Sequence, residues 1–208
     1  MSILKEMHLV SNVNKTSQIF ESLFGQTKFT DINFVMPSDY VEKYWNAYIA
    51  QFPNGNASLN GSIFEIIINT LLLRKGYMPL FRQAQVAFVP NVNFDALLFT
   101  GSYPICLSIK TSLRERYKQA SLEAIAVKYV HGLAKCYLLT MDEKESANVN
   151  RKIQNREVLG LDEVIYCKGK RFDDFINNDL NKVYVESKKV DIIKSTQITT
   201  LDDYNKNK

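Results

Sequence analysis

The sequence predicts an α/β fold, a mixed central β-sheet flanked by helices and preceded by an N-terminal helical region. Three observations predict it. Up to Lys75 the apolar residues recur at three- and four-residue spacings, after Gly76 they gather into short β-rich runs, and from Ser112 helical and strand patterns alternate. The expected order is helices, then β-β-β-α-β-α-β, with no internal repeat and no low-complexity stretch.

Taken in order, KTSQIFESLF (15–24) and SDYVEKYWNAYIAQF (38–52) read as helices, with Ser38 after Pro37 as a cap. FPNGNAS is a loop, and a strong helix follows from Ser58 to Lys75, stopped by Gly76. QVAFV, NFDALLF and YPICLSIK are strands, the last two joined at hairpin length by TGSYP. A long helix over Ser112–Ala134 leads to a buried strand, KCYLLTM. A helix over Lys144–Asn155, a strand DEVIYC, a short helix FDDFINND and an edge strand KVYVES complete the chain, and the polar tail DDYNKNK is expected to fray. Residues 1–57 form the helical region and 58–208 the rest, in one compact domain.

The composition narrows the function. With 208 residues, 46% hydrophobic and 23% charged, the chain is globular, and a net charge of +4 permits a polyanionic partner without demanding one. Cys106, Cys136 and Cys167 show no C-x-x-C spacing, and only His8 and His131 accompany them, which argues against a structural zinc site. Cys106 and Cys136 read as buried thiols, and the chain as a reduced, cytoplasmic protein. The N-terminus lacks a signal-peptide core, and IFEIIINTLLL is too short to span a membrane and contains Glu65, so a soluble protein with no membrane partner is expected. No glycine-rich loop opens a helix, and no Ser-His-Asp or Cys-His arrangement stands out.

The chemistry gathers around SIKTSLRERYKQASLEA (108–124). With Ser102 near the hairpin tip, Asp95 faces the region of Ser108 and Lys110, which share a strand face two residues apart. Asp95 and Lys110 suit a structural ion pair or a reactive one. Glu123 lies on the helix face that carries Arg116 and Gln119, within reach of Asp95 and Lys110. Two carboxylates and a lysine around one point suit Mg²⁺ and a phosphate. The alternative pairs Glu123 with Lys118 or Lys128 on the surface. Arg114, Glu115, Arg116 and Lys118 place cations at a helix start, against the macrodipole preference. Arginine forks match guanine O6 and N7, and glutamate accepts from cytosine N4, so the triplet reads either as a G·C reader or as a self-neutralising turn.

Together these residues resemble the PD-(D/E)XK nucleases, with Ser108 where the motif usually has an acid and Phe94 where it has proline. Glu123, thirteen residues after Lys110, resembles the displaced acid of one branch of type II restriction endonucleases, the EcoRII/SsoII/NgoMIV-like enzymes that cut CC…GG sites. Arg114-Glu115-Arg116, four residues after Lys110, resembles the R-(D/E)-R triplet of the same branch. The resemblance implies a PD-(D/E)XK core and Mg²⁺ held by Asp95 and Glu123. It implies that Lys110 orients the attacking water, that Ser108 hydrogen-bonds a water and that Lys118 contacts the DNA backbone. An upstream glutamate is implied too, for which Glu65 is the candidate, although Ser62-x-x-Glu65 also fits a helix-capping box. Expected partners are double-stranded DNA with a palindromic G·C-containing site, a second copy in a two-fold homodimer, and, functionally, a cognate DNA methyltransferase. The alternatives are a repair-type or mobile-element nuclease on the same core and a catalytically silent DNA-binding module. Tyr44 and Trp45 are either core residues or stackers on an extruded base, Gln83 and Gln85, just before the first strand, are either minor-groove or substrate contacts or plain exposed strand-edge polarity, and His131 reads as a packed histidine.

Overall fold

In the computed structural model, residues 2–89, 91–184, 193–194 and 197–208 are described. Helix α1 (Ile3–Glu6) and α2 (Lys15–Ser22) precede a 3-10 turn, Phe29–Asp31, and then α3 (Pro37–Gln51). Ser38 does not cap α3. Proline lacks the N–H that a first helical residue would leave unused, so the helix begins at Pro37 itself. The Met36 N–H donates to Asp39 Oδ2 at 2.9 Å, while Ser38 donates its N–H and hydroxyl to the buried Asp173 at 2.7 and 2.9 Å.

Helix α4 (Ala57–Arg74) is capped by Asn56, whose side chain accepts from the Leu59 N–H. Ser62 therefore sits inside the helix, and the Ser62-x-x-Glu65 capping box does not form. Apolar residues surround most of α4, including Ile63, Phe64, Ile67, Ile68, Leu71 and Leu72, as suits a helix buried in the core. Gly76, at a φ of +82°, turns the chain out of it.

Three antiparallel strands follow, β1 (Leu80–Val86), β2 (Phe94–Phe99) and β3 (Pro104–Lys110). The first strand starts five residues before the expected QVAFV, because LFRQAQV carries the buried positions and Phe88 is exposed. The β2–β3 register pairs Ala96 with Leu107 and Phe99 with Pro104, so the turn falls at Gly101-Ser102, as expected. Helix α5 (Arg116–Val130) crosses to the parallel strand β4 (Lys135–Thr140), and α6 (Glu143–Gln154) crosses to parallel β5 (Glu163–Tyr166). Helix α7 (Lys170–Asp174), a π-helical turn Phe175–Asp179 and α8 (Leu180–Val183) come next. The expected edge strand KVYVES is helical at Lys182 and Val183, and its residues 185–187 lie outside the described residues. Strands β6 (Ile193–Lys194) and β7 (Gln197–Thr199) both pair antiparallel with β1, in a sheet ordered β5-β4-β3-β2-β1-β6.

The polar tail does not fray. It forms α9 (Leu201–Asn207), with reciprocal capping between Thr200 and Asp203, and buries Tyr204.

Alternation along the strands sends side chains to two cores. Ala96, Leu98, Leu107 and Ile109 pack with α4 and the N-terminal helices, whereas Leu97, Cys106 and Leu138 pack with Ala120, Ala124 and Val127 of α5. The expected α/β architecture is therefore present, a mixed sheet with helices on both faces. All three cysteines are buried and unbridged. No described helix is long and apolar enough to cross a membrane.

Asp173 holds the start of α3 to α7. Asp173→Ala leaves the Ser38 N–H without its acceptor and should cost about 1–3 kcal/mol, read as a lowered urea midpoint. An unchanged midpoint would show that water replaces the carboxylate without loss.

Candidate active site

Asp95 stands near the start of β2, and the hairpin register sets it across from Ser108. Its Oδ2 accepts the Ile109 N–H at 2.6 Å and the Lys110 Nζ at 2.7 Å. Among the described residues its Oδ1 accepts no hydrogen bond. Ser108 is buried beside it, while the Lys110 side chain remains 26% exposed and faces solvent from one side. The strand thus holds the carboxylate by backbone, and the lysine neutralises it.

Two glutamates approach this pair from opposite layers. Glu65 comes from α4, and its carboxyl is pushed up to about 7, first by burial and then by the negative charge of Asp95, against the pull of Lys110 and Arg82. Glu123 comes from α5. Burial raises its carboxyl, the Gln119 amide at 2.8 Å opposes that rise, and Lys110 and Asp95 act on it in opposite directions. Both glutamates therefore sense the same aspartate and lysine. The surface-pair alternative for Glu123 fails, since Lys128 is bound to Asp162 and Lys118 to Glu115.

Arg82 is a residue that sequence reasoning missed. It is buried on β1, where burial lowers its affinity for a proton while Glu65 and Asp95 restore it, and it donates to Gln197 Oε1 at 2.7 Å. The available signal was an arginine inside an otherwise buried strand, which requires anions close by. Among the described residues no three His, Cys, Asp or Glu side chains form a ready metal cage. The oxygen donors at hand are Asp95 and Glu123, with Glu65 in the same field.

The segment between β3 and α5 is a turn, so the helix starts later than Ser112. Glu145 of α6 holds that turn open, accepting the N–H groups of Leu113 at 2.6 Å and Arg114 at 2.9 Å. Arg114 adopts a left-handed φ of +38°. Arg114, Glu115, Arg116 and Lys118 are all exposed, and no acid occupies the first turn of α5. Glu115 pairs with Lys118, whereas Arg114 and Arg116 make no ion pair among the described residues, so the triplet does not neutralise itself.

Tyr44, Trp45 and His131 fall to structural roles. Tyr44 stacks on Phe20 at 4.8 Å in the core, and Trp45 lies edge-on to Phe64 at 6.0 Å. The ring of His131 contacts the Ala87 carbonyl at 2.9 Å. Gln83 and Gln85 lie inside β1 rather than before it, both exposed.

No protein-family model matches the sequence, and no curated protein matches it. Among solved structures, the chain is similar to the restriction endonuclease PspGI in complex with substrate DNA, with a TM-score of 0.59 at 15% identity, covering 95% of this chain and 88% of that one. The chain has a restriction-endonuclease fold. At that identity the likeness concerns the path of the backbone, so the chemistry rests on the side chains described above.

The raised carboxyl of Glu65 has a pH signature in the metal-free protein. Between its ordinary 4.5 and about 7 the folded chain keeps a proton that the unfolded chain has released, so stability falls as pH rises through this window. The loss is ~1.4 kcal/mol for each unit of the shift. Urea unfolding across that range should show the decline, and Glu65→Gln should flatten it; equal slopes in both proteins would refute the assignment.

Proposed function

We propose that the protein is a type II restriction endonuclease that hydrolyses both strands of DNA at a short palindromic site containing G·C pairs. The observation that carries this reading is the Asp95–Lys110 pair flanked by Glu65 and Glu123 from the two helical layers. Support comes from the fold shared with an enzyme solved on its substrate DNA.

The donor set fits a hard cation. Mg²⁺ takes one or two carboxylates and keeps several waters, and among the described residues Asp95 Oδ1 accepts no hydrogen bond that would compete with it. Asp95 and Glu123 would hold Mg²⁺, which would supply charge stabilisation at the scissile phosphate. Lys110 donates to the attacking water and to the phosphate oxygen on which charge develops. Glu65 holds or releases a proton at its carboxyl beside them, and Ser108 hydrogen-bonds a water of the site. In-line displacement leaves a 5′-phosphate and a 3′-hydroxyl.

Arg114 and Arg116 donate to guanine O6 and N7 in the major groove, Glu115 accepts from cytosine N4, and Lys118 moves from Glu115 to the DNA backbone. A palindromic site suits a two-fold homodimer in which each subunit cuts one strand. Residues 1–57 then serve that dimer or the DNA, and 58–208 carry the nuclease core. Leu122, Ile125 and Tyr129 recur as exposed apolar residues along one face of α5, the kind of surface a subunit interface covers. The enzyme acts in the cytoplasm, beside a methyltransferase that protects host DNA.

With plasmid or phage DNA and Mg²⁺, the wild type should give discrete fragments with 5′-phosphate ends. Lys110→Ala and Asp95→Asn should each slow cleavage by a factor on the order of 10²–10³. Arg116→Ala should lose about 1–3 kcal/mol of discrimination against sites with the wrong base pair. Salt-sensitive DNA binding with no cleavage in Mg²⁺ or Mn²⁺ would instead make this a silent DNA-binding protein.

A further inference from the structure

Strand β1 is irregular at one residue. Arg82 pairs with Ala96 and Ala84 with Phe94, so Gln83 lies directly across from Asp95. Gln83 has a φ of +46°, a left-handed backbone that a glutamine in a strand rarely adopts. The alternation of the partner strand also slips here, with Phe94 in the α5-side core and Ala96 in the α4-side core. Such local kinks in a sheet re-aim a side chain and gather next to active sites.

The kink has a definite result. Arg82 and Ala84 are buried, and between them Gln83 stands exposed at the rim of the Asp95 site. Folding alone gives no reason for it, because glycine or asparagine occupies this backbone region more easily. We infer that Gln83 is a substrate-positioning residue. Its carboxamide N–H donates to a phosphate oxygen of the DNA strand being cut and holds that strand over Asp95 and Lys110. A neutral donor suits this place: three carboxylates surround the phosphate's path, and a further lysine or arginine would pair with them instead.

The inference rests on the nuclease reading, and three variants test it. Gln83→Gly removes the amide and accepts the backbone, Gln83→Asn keeps a shorter amide, and Gln83→Glu keeps the shape but replaces the donor with a charge. Gln83→Gly should keep or raise Tm by a few degrees while slowing single-turnover cleavage of plasmid DNA at least tenfold. Gln83→Asn should recover part of the rate, and Gln83→Glu should recover none. Wild-type cleavage in Gln83→Gly would overturn the proposal, as would a rate that falls only in step with a lowered Tm. If the wild type itself fails to cut, the nuclease reading falls separately. Anisotropy with a labelled duplex then decides the contact, requiring weaker binding by Gln83→Gly and Gln83→Glu than by the wild type. Equal binding by all of them would overturn it.

Discussion

A carboxylate held by its neighbour strand and neutralised by a lysine two positions along the same face is the constraint on which the site depends. Asp95 receives one hydrogen bond from the β3 backbone and one from Lys110, and both require the hairpin to pair in its observed register. A slip of one residue would turn Lys110 toward the α4 layer and leave a buried aspartate without a cation, which is strongly unfavourable. The hairpin therefore fixes the pair, and the pair penalises every other hairpin. Around it stand Glu65 and Glu123 on one side of the balance and Arg82 on the other. Three carboxylates share the site with two cations, and burial, ahead of any charge, is what raises the two glutamates.

The crossover that follows determines how the reading elements are presented. The β3–α5–β4 crossover between parallel strands lays α5 on one sheet face, so the helix begins beside the lysine-bearing end of β3. Left alone, a helix start with Arg116 and Lys118 would be disfavoured by its own dipole. Glu145 supplies the missing negative charge from α6, and by gripping the Leu113 and Arg114 N–H groups it holds the preceding turn outside the helix. Both arginines are left facing solvent. The interaction that shapes the candidate base-reading segment thus comes from an element thirty residues downstream.

Local rules reached a good part of this. The two-residue period of β3 put Ser108 and Lys110 on one face, the Gly101-Ser102 turn set Asp95 across from them, and the helical period brought Glu123 round to the same side. Each of those inferences needs only neighbours in sequence or a tight turn. What escaped was decided at a distance. Ser38 caps no helix because Asp173 claims it from the far end of the chain, and Ser112 starts no helix because Glu145 holds the turn. The tail forms α9 because Tyr204 finds a core to enter. Arg82 joins the site because α4 and β1 meet there, which no periodicity in either segment states.

The serine at position 108 fits the same electrostatics. An acid there would stand directly across from Asp95, both nearly fully buried on adjacent strands, and like charges so placed destabilise a sheet. Lys110 could compensate only one of them. Glu123 is instead half-buried on α5, where its carboxylate keeps part of its hydration and leans on the Gln119 amide. Moving the second acid from strand to helix thus keeps an oxygen donor near Asp95 while lowering the desolvation that the folded chain must bear. The serine hydroxyl fills the vacated strand position without charge. On this argument Ser108 and Glu123 are two halves of one solution, and the register that buries Asp95 is what makes the displacement favourable.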